Sequence, residues 1–387
     1  MTLSPLYFDS AATTPLDPDV ASAMLDALRG LHGNPSSVSH CFGQAAARRV
    51  ETCRASIAAE FGCAPDEVIF TSGATEADNL ALAGVARAHA DRGRHLVISA
   101  IEHRAVLACA EQLEREGFEV SRALPDAAGV VQPEAIAALI RPDTLLVSLI
   151  HTNNETGTQQ PIEAVAAVAA EAGVLFHVDA AQAAGKFRIK LDTVPIDLLT
   201  ISAHKLHGPK GIGCLIVRNR RQLRLAPLMV GGEQEYGLRA GTLPLHQIVG
   251  LASALQKAAI QRGQDLVQVS AVRDCLLAEL TEAFPVVVHG DPQRQSPYIL
   301  ALSIPGVPSD ALRNHLAETL AIASGSACSS GTLEPSHVLR AMGLEGDLLY
   351  GAVRLSFDRT HSLAEAAEAA RRIIAAAERI RALREAS

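Results

Sequence analysis

From about residue 16 to residue 260 the chain alternates short apolar runs with alanine-rich stretches of helical period. The runs His95–Ser99, Thr144–Ile150, Val174–Val178, Asp197–Ser202 and Gly213–Val217 are rich in valine, isoleucine and leucine, and are predicted as buried strands. Strands alternating with helices over this length predict an α/β fold with a mostly parallel central sheet. Each apolar run ends near a polar block, and open α/β sheets bind ligands beyond the carboxyl ends of their strands. From about 244 to 284 the pattern is helical. It leads into a smaller α+β region with predicted strands Ile299–Ile304 and Val353–Phe357. A last helix is predicted from about Leu363 to Glu385, with Ile373, Ile374, Ile380 and Leu383 on its packing side. The expected division is a large domain over 16–260 and a small one over 261–387.

The 387 residues are 48% hydrophobic and 20% charged, enough to bury a large core in two domains. A formal net charge of -8 argues against direct nucleic-acid binding, which needs a basic face. Seven cysteines, Cys41, Cys53, Cys63, Cys109, Cys214, Cys275 and Cys328, are scattered with no Cys-x-x-Cys pair. This predicts reduced thiols in a cytoplasmic protein and no structural metal. Asp9, Asp17 and Asp19 interrupt the first twenty residues, so no secretion signal is expected there. No run approaches the roughly 18 to 20 apolar residues of a membrane span.

The candidate chemistry centres on Ile201-Ser-Ala-His-Lys-Leu-His-Gly-Pro-Lys-Gly-Ile-Gly213. Lysine is costly to bury unpaired, and Lys205, between His204 and a glycine-rich turn, suits an amine that forms a Schiff base with pyridoxal phosphate. Upstream, Val174-Leu-Phe-His-Val-Asp179 ends in a carboxylate able to pair with a pyridinium nitrogen. Further upstream, Val68-Ile-Phe-Thr-Ser-Gly-Ala-Thr75 reads as a strand, a glycine turn and a helix start, which is a phosphate seat. Separately, each signal is weak. In this order they point to one cofactor.

With these residues in place, the sequence resembles the cysteine desulfurases, pyridoxal-phosphate enzymes of aminotransferase class V. The resemblance runs from Asp9-Ser-Ala-Ala-Thr-Thr14 to Arg354. It is carried by Gly33-Asn-Pro-Ser-Ser37, Thr71-Ser-Gly-Ala-Thr-Glu76, Glu102-His103, Asn153-Asn-Glu-Thr-Gly157, the Asp179 and Lys205 blocks, Arg239-Ala-Gly-Thr242 and Ser324-Gly-Ser-Ala-Cys-Ser329. It implies aminotransferase fold type I, with residues 1–15 joining the small domain. It also implies that Ala74, Thr75, Ser202 and His204 hold the cofactor phosphate, that Gln182 meets the ring hydroxyl oxygen, and that His103 stacks on the ring and handles protons. Asn154 and Arg354 would lie near the substrate, with Arg354 clamping an amino-acid carboxylate. Thr242 would reach the neighbouring subunit's cofactor, so a homodimer is expected.

Cys328 lies in a stretch of small residues and turn formers, about 323–335, whose composition suits a mobile loop. The resemblance makes it the nucleophile that takes sulfur from L-cysteine, leaves alanine, and passes a persulfide to an acceptor protein. Iron–sulfur cluster assembly, and tRNA, cofactor or DNA thiolation, are all open as the destination. Two positions depart from the family pattern: Glu233 replaces a glycine, and Tyr236 replaces an arginine. The chain also ends at Ser387, short of the tail that scaffold-feeding relatives carry, which leaves room for a specialised acceptor. Two other readings remain, a selenocysteine lyase or related β-eliminating enzyme, and a silent adaptor. The presence of Lys205 and Asp179 argues against the adaptor.

Overall fold

The computed structural model describes residues 4–324 and 335–385. Its strands, in chain order, are β1 (Leu6–Tyr7), β2 (Val68–Thr71), β3 (His95–Ser99), β4 (Glu119–Ala123), β5 (Thr144–Ile150), β6 (Leu175–Asp179) and β7 (Leu198–Ser202). They continue with β8 (Gly213–Val217), β9 (Val287–His289), β10 (Ile299–Ser303), β11 (Leu320–Ala321), β12 (Ala323–Ser324) and β13 (Ala352–Ser356).

Seven strands form the central sheet in the order β2-β8-β7-β6-β5-β3-β4. Its pairings from β4 to β7 are parallel, and β8 runs antiparallel to both β7 and β2. Residues alternate between the two faces, as the strand period of two requires. In β8, Cys214 and Ile216 join an apolar cluster with the helices Cys41–Phe61 and Ile162–Ala172. Leu215 and Val217 join the opposite cluster with the helices Ala74–Ala88 and Arg104–Arg115. β5 is buried at every position, as a central strand covered on both faces must be. The edge strand β4 carries exposed Glu119 and Arg122, which discourage further pairing. No apolar run announces it, so the hydrophobic pattern passes over it.

A second core joins Phe8, Leu276, Leu302, Leu355, Phe357 and Ile373. It is built around the antiparallel sheet β12-β13-β10-β9. The N-terminal strand β1 pairs parallel with β11, and Ser10 Oγ donates to Asp358 Oδ2 at 2.7 Å. One 39-residue helix, Leu245–Ala283, about 58 Å long at the usual rise, serves both cores. Leu245–Leu255 pack into the first and Val269–Leu280 into the second. The last helix, Leu363–Glu385, packs with Ile373 and Ile380 buried. Leu383 is 69% exposed, which corrects its expected place on the packing side. It falls in the last turn of the helix. Among the described residues no helix is long and apolar enough to cross a membrane.

Candidate active site

The carboxyl ends of β2, β5, β6 and β7 converge on one cavity of about 650 Å³. β2 ends at Thr71, and Ser72 and Gly73 turn the chain into the helix Ala74–Ala88. Gly73 has φ 152° and caps that helix with no side-chain hydrogen bond, so the first N–H groups of the helix lack a side-chain partner. A Cβ on Gly213 would lie 2.4 Å from Ile201 O and 2.8 Å from Gly73 Cα. Only glycine lets β8 pass this close to the turn. Among the described residues Ser202 Oγ is buried with no hydrogen-bond partner, a spare donor. Uncapped helix N–H groups beside a spare hydroxyl fit a bound phosphate.

Asp179 closes β6 and is buried, its Oδ1 accepting from Ala181 N at 2.9 Å. Burial raises its pKa, opposed by His103 and Lys205. Beneath it, His177 is held between Ser148 Oγ at 2.9 Å and Thr200 Oγ1 at 3.1 Å. Asp78 and Glu102 are buried nearby. Burial raises both far above the carboxylate range, and the Asp179 charge adds to the effect.

Lys205 follows β7 in a short helical turn. Its Nζ donates to Ala11 O at 2.6 Å and Ala12 O at 2.7 Å, and burial, then the Arg354 charge, push the amine down to about 8. His204 Nδ1 lies 3.1 Å from Thr13 Oγ1. Burial holds His204 down at about 4, so the ring is neutral at ordinary pH. The segment Ser10–Thr14 thus lies directly on the lysine turn, a job that nothing in the sequence of that block announces.

His103 caps the helix Arg104–Arg115, its Nδ1 accepting from Ala105 N at 3.1 Å. With that nitrogen an acceptor, the neutral ring carries its proton on Nε2, and burial lowers its pKa. Arg354, on β13, is buried and donates through Nη2 to Asp9 Oδ1 at 2.7 Å and through Nη1 to Asn154 O at 2.8 Å. Its Nε and the side-chain oxygen Oδ1 of Asn154 are buried without hydrogen-bond partners among the described residues.

Ala74, Thr75, His103, Asn154, Asp179, Gln182, Ser202, His204, Lys205 and Arg354 all line this cavity. Thr242 does not; it is exposed on the same chain. Cys328 lies outside the described residues. Lys210 and Gly211 also line the cavity, although their place in a glycine-rich turn suggests no role by itself. Glu233 is exposed, and the carboxylate that matters in its loop is Glu235, buried against Arg54. Tyr236 stacks on Arg220, whose guanidinium carbon is 3.8 Å from the ring centre. The Thr242 block is tied to the phosphate-seat turn by Arg239 Nε and Glu76 Oε1, 3.0 Å apart.

A fold-type I sheet with a lysine, an aspartate and an anion seat at its carboxyl end defines a pyridoxal-phosphate enzyme, and the chain belongs to the aminotransferase class-V family, which matches residues 6–367. It is 44% identical over 381 residues to the cysteine desulfurase IscS of Pseudomonas putida (strain GB-1), covering 98% of this chain and 94% of that one. Among solved structures, a NifS-like protein superposes with a TM-score of 0.89 at 33% identity, over 96% of this chain and 98% of that one. SspA in complex with cysteine superposes at 0.81 with 35% identity, over 91% and 98%.

Proposed function

We propose that this chain is a pyridoxal-phosphate-dependent cysteine desulfurase. The observation that carries this reading is the convergence of Lys205, Asp179, His103, the uncapped helix start at Ala74 and Arg354 on one cavity. Pyridoxal phosphate, when bound, supplies an electron sink that acidifies the α-carbon of an amino acid.

The residues divide the remaining work. Thr75, Ser202, His204 and the Ala74 helix start hold the phosphate. With the cofactor bound, Asp179 would pair with the ring nitrogen and keep it protonated, and Gln182 would donate to the ring oxygen. Arg354 and Asn154 seat the carboxylate of L-cysteine. Lys205 Nζ, whose amine titrates near 8, is neutral often enough at ordinary pH to accept the α-proton. His103, with its proton on Nε2, attends the substrate sulfur.

Cys328 is the nucleophile in this reading. Its thiolate attacks the substrate sulfur, an S–S bond forms, and the carbon–sulfur bond breaks with its electron pair staying on carbon. A proton at that carbon and the return of the α-proton from Lys205 complete alanine, and the persulfide passes to an acceptor protein. Thr242, exposed and tied to the phosphate turn through Arg239 and Glu76, supports a homodimer in which it serves the neighbouring subunit. A cytoplasmic setting, where thiols stay reduced, suits the chemistry. The test is the absorbance of purified wild type and Lys205→Ala with added pyridoxal phosphate. A yellow wild type and a variant without the lysine-bound band support the reading; a colourless wild type contradicts it.

A further inference from the structure

Gln182 and Lys186 sit in successive turns after β6, with Ala184 N donating to Ala180 O at 2.8 Å and Lys186 N to Ala183 O at 3.0 Å. Four positions apart in turning backbone, the two side chains share a face. Gln182 is buried and lines the active-site cavity. Its Nε2 donates to Ala11 O at 2.8 Å, and its Oε1 accepts from Lys186 Nζ at 3.2 Å. Ala11 O also accepts from Lys205 Nζ.

A carboxamide has a donor end and an acceptor end that differ little in shape. Here both ends are determined by chemistry. Ala11 O is an acceptor only, so the amide end against it is the NH₂ group. Lys186, charged or neutral, offers N–H to the other end. One amide N–H goes to Ala11, and the second remains for an acceptor in the cleft.

We propose that Lys186 is a positioning residue for the cofactor: it holds the Gln182 carboxamide in the one orientation that presents an N–H to the cofactor's ring oxygen. This rests on the reading of Gln182 given above. The amine itself is held over the Tyr298 ring, 5.2 Å from its centre. Burial opposes its protonation most; of the charges facing it from other elements, Lys205 and Arg354 oppose it too, and Asp358 favours it. Without Lys186 the amide oxygen loses its donor and Ala11 O alone still orients the group, so the carboxamide can swing away and its second N–H no longer points steadily at the ring oxygen.

The test is the pH midpoint of the visible absorbance of the loaded protein in Lys186→Met, Lys186→Arg, Gln182→Ala and the double variant Gln182→Ala/Lys186→Met. A donor to the ring oxygen stabilises its anionic form and eases loss of the neighbouring proton, so removing the donor raises the midpoint, by about one unit for a hydrogen bond to a charged group. The expected result is a rise in both single variants, recovery in Lys186→Arg, and no further rise when the methionine is added to Gln182→Ala. If Gln182→Ala moves the midpoint and Lys186→Met leaves it in place, or if the two shifts add in the double variant, Lys186 does not act through Gln182. If Gln182→Ala itself moves nothing, the cofactor contact of Gln182 is wrong and this proposal falls with it. Lys186→Gln keeps a polar group too short to reach the amide; it carries the same expectation should the methionine variant fail to fold.

Discussion

Arg54 and Glu235 form a buried, two-pronged ion pair, Nη1 to Oε2 at 2.9 Å and Nη2 to Oε1 at 2.7 Å, with side chains 3% and 1% exposed. The same carboxylate accepts from Phe70 N at 2.6 Å, and Arg54 also reaches Val68 O. Glu235 and Tyr236 both have left-handed backbone, φ 48° and 58°, a conformation side chains seldom adopt. The pair therefore pins a strained turn to β2, the strand that leads to the phosphate seat. It also anchors the loop that runs on through Gly241 to Thr242.

Removing Arg54 leaves the Glu235 carboxylate buried without its cation, and removing Glu235 leaves the buried Arg54 only the exposed Glu51, 3.1 Å from its Nε. Glu235→Gln and Arg54→Met are each expected to destabilise the fold by about 3–5 kcal/mol, read as a lower denaturant midpoint at unchanged slope. A loss below about 1 kcal/mol, the worth of an exposed pair, would show that the pair is not the anchor.

Lys205 gives a prediction about loading. The neutral amine is the form that attacks an aldehyde, and the Lys205 amine titrates near 8. The rate at which the ligand-free protein takes up pyridoxal phosphate should rise with pH through a midpoint near 8 and then level off. Stopped-flow absorbance measures it; a rate still climbing above about pH 10, as for an ordinary lysine, would contradict the depressed amine.

Arg354 offers a planar fork that lysine lacks. Arg354→Lys should lower kcat/KM for L-cysteine by roughly 10- to 100-fold, the worth of hydrogen bonds to a charged group. The loss should fall mainly on KM, because the carboxylate is bound equally before and during reaction. Steady-state alanine production checks it.

Glu155 is buried beside Ser336, whose Oγ donates to Oε2 at 2.5 Å. Burial raises its carboxyl from 4.5 to about 7. A carboxyl with a raised pKa keeps its proton in the fold at pH values where the unfolded chain has released it. Its effect is therefore to lower stability as pH rises from about 4.5 to about 7. Glu155→Gln removes that penalty, so its melting temperature relative to wild type should be higher at about pH 8 than at about pH 5, either side of most of that window. Equal differences at both pH values would refute the shift.

Much of the candidate site is legible in the sequence because its parts stand in fixed order at strand ends: Thr75 after β2, Asp179 closing β6, Lys205 after β7. Apolar runs rich in leucine, valine and isoleucine mark β3, β5 and β8 at their observed bounds. What stays hidden depends on contacts between distant segments. Arg54 meets Glu235, and Ala11 meets Gln182 and Lys205, pairings that no local period encodes. β4 escapes the hydrophobic pattern because its exposed positions are charged, and the exposure of Leu383 is not foreseen because helical period does not say where along the helix packing stops. Glu233 draws attention by its departure from the family pattern, while the carboxylate that is buried is Glu235.

The central claim is that sulfur leaves L-cysteine by transfer to Cys328. The most direct measurement gives wild type and Cys328→Ala, both loaded with pyridoxal phosphate, L-cysteine in a single turnover, then quantifies alanine and protein-bound persulfide. The account predicts equal amounts of both products in wild type, and an unchanged cofactor spectrum with neither product in Cys328→Ala. Alanine formed by Cys328→Ala as fast as by wild type would contradict it and point to a lyase.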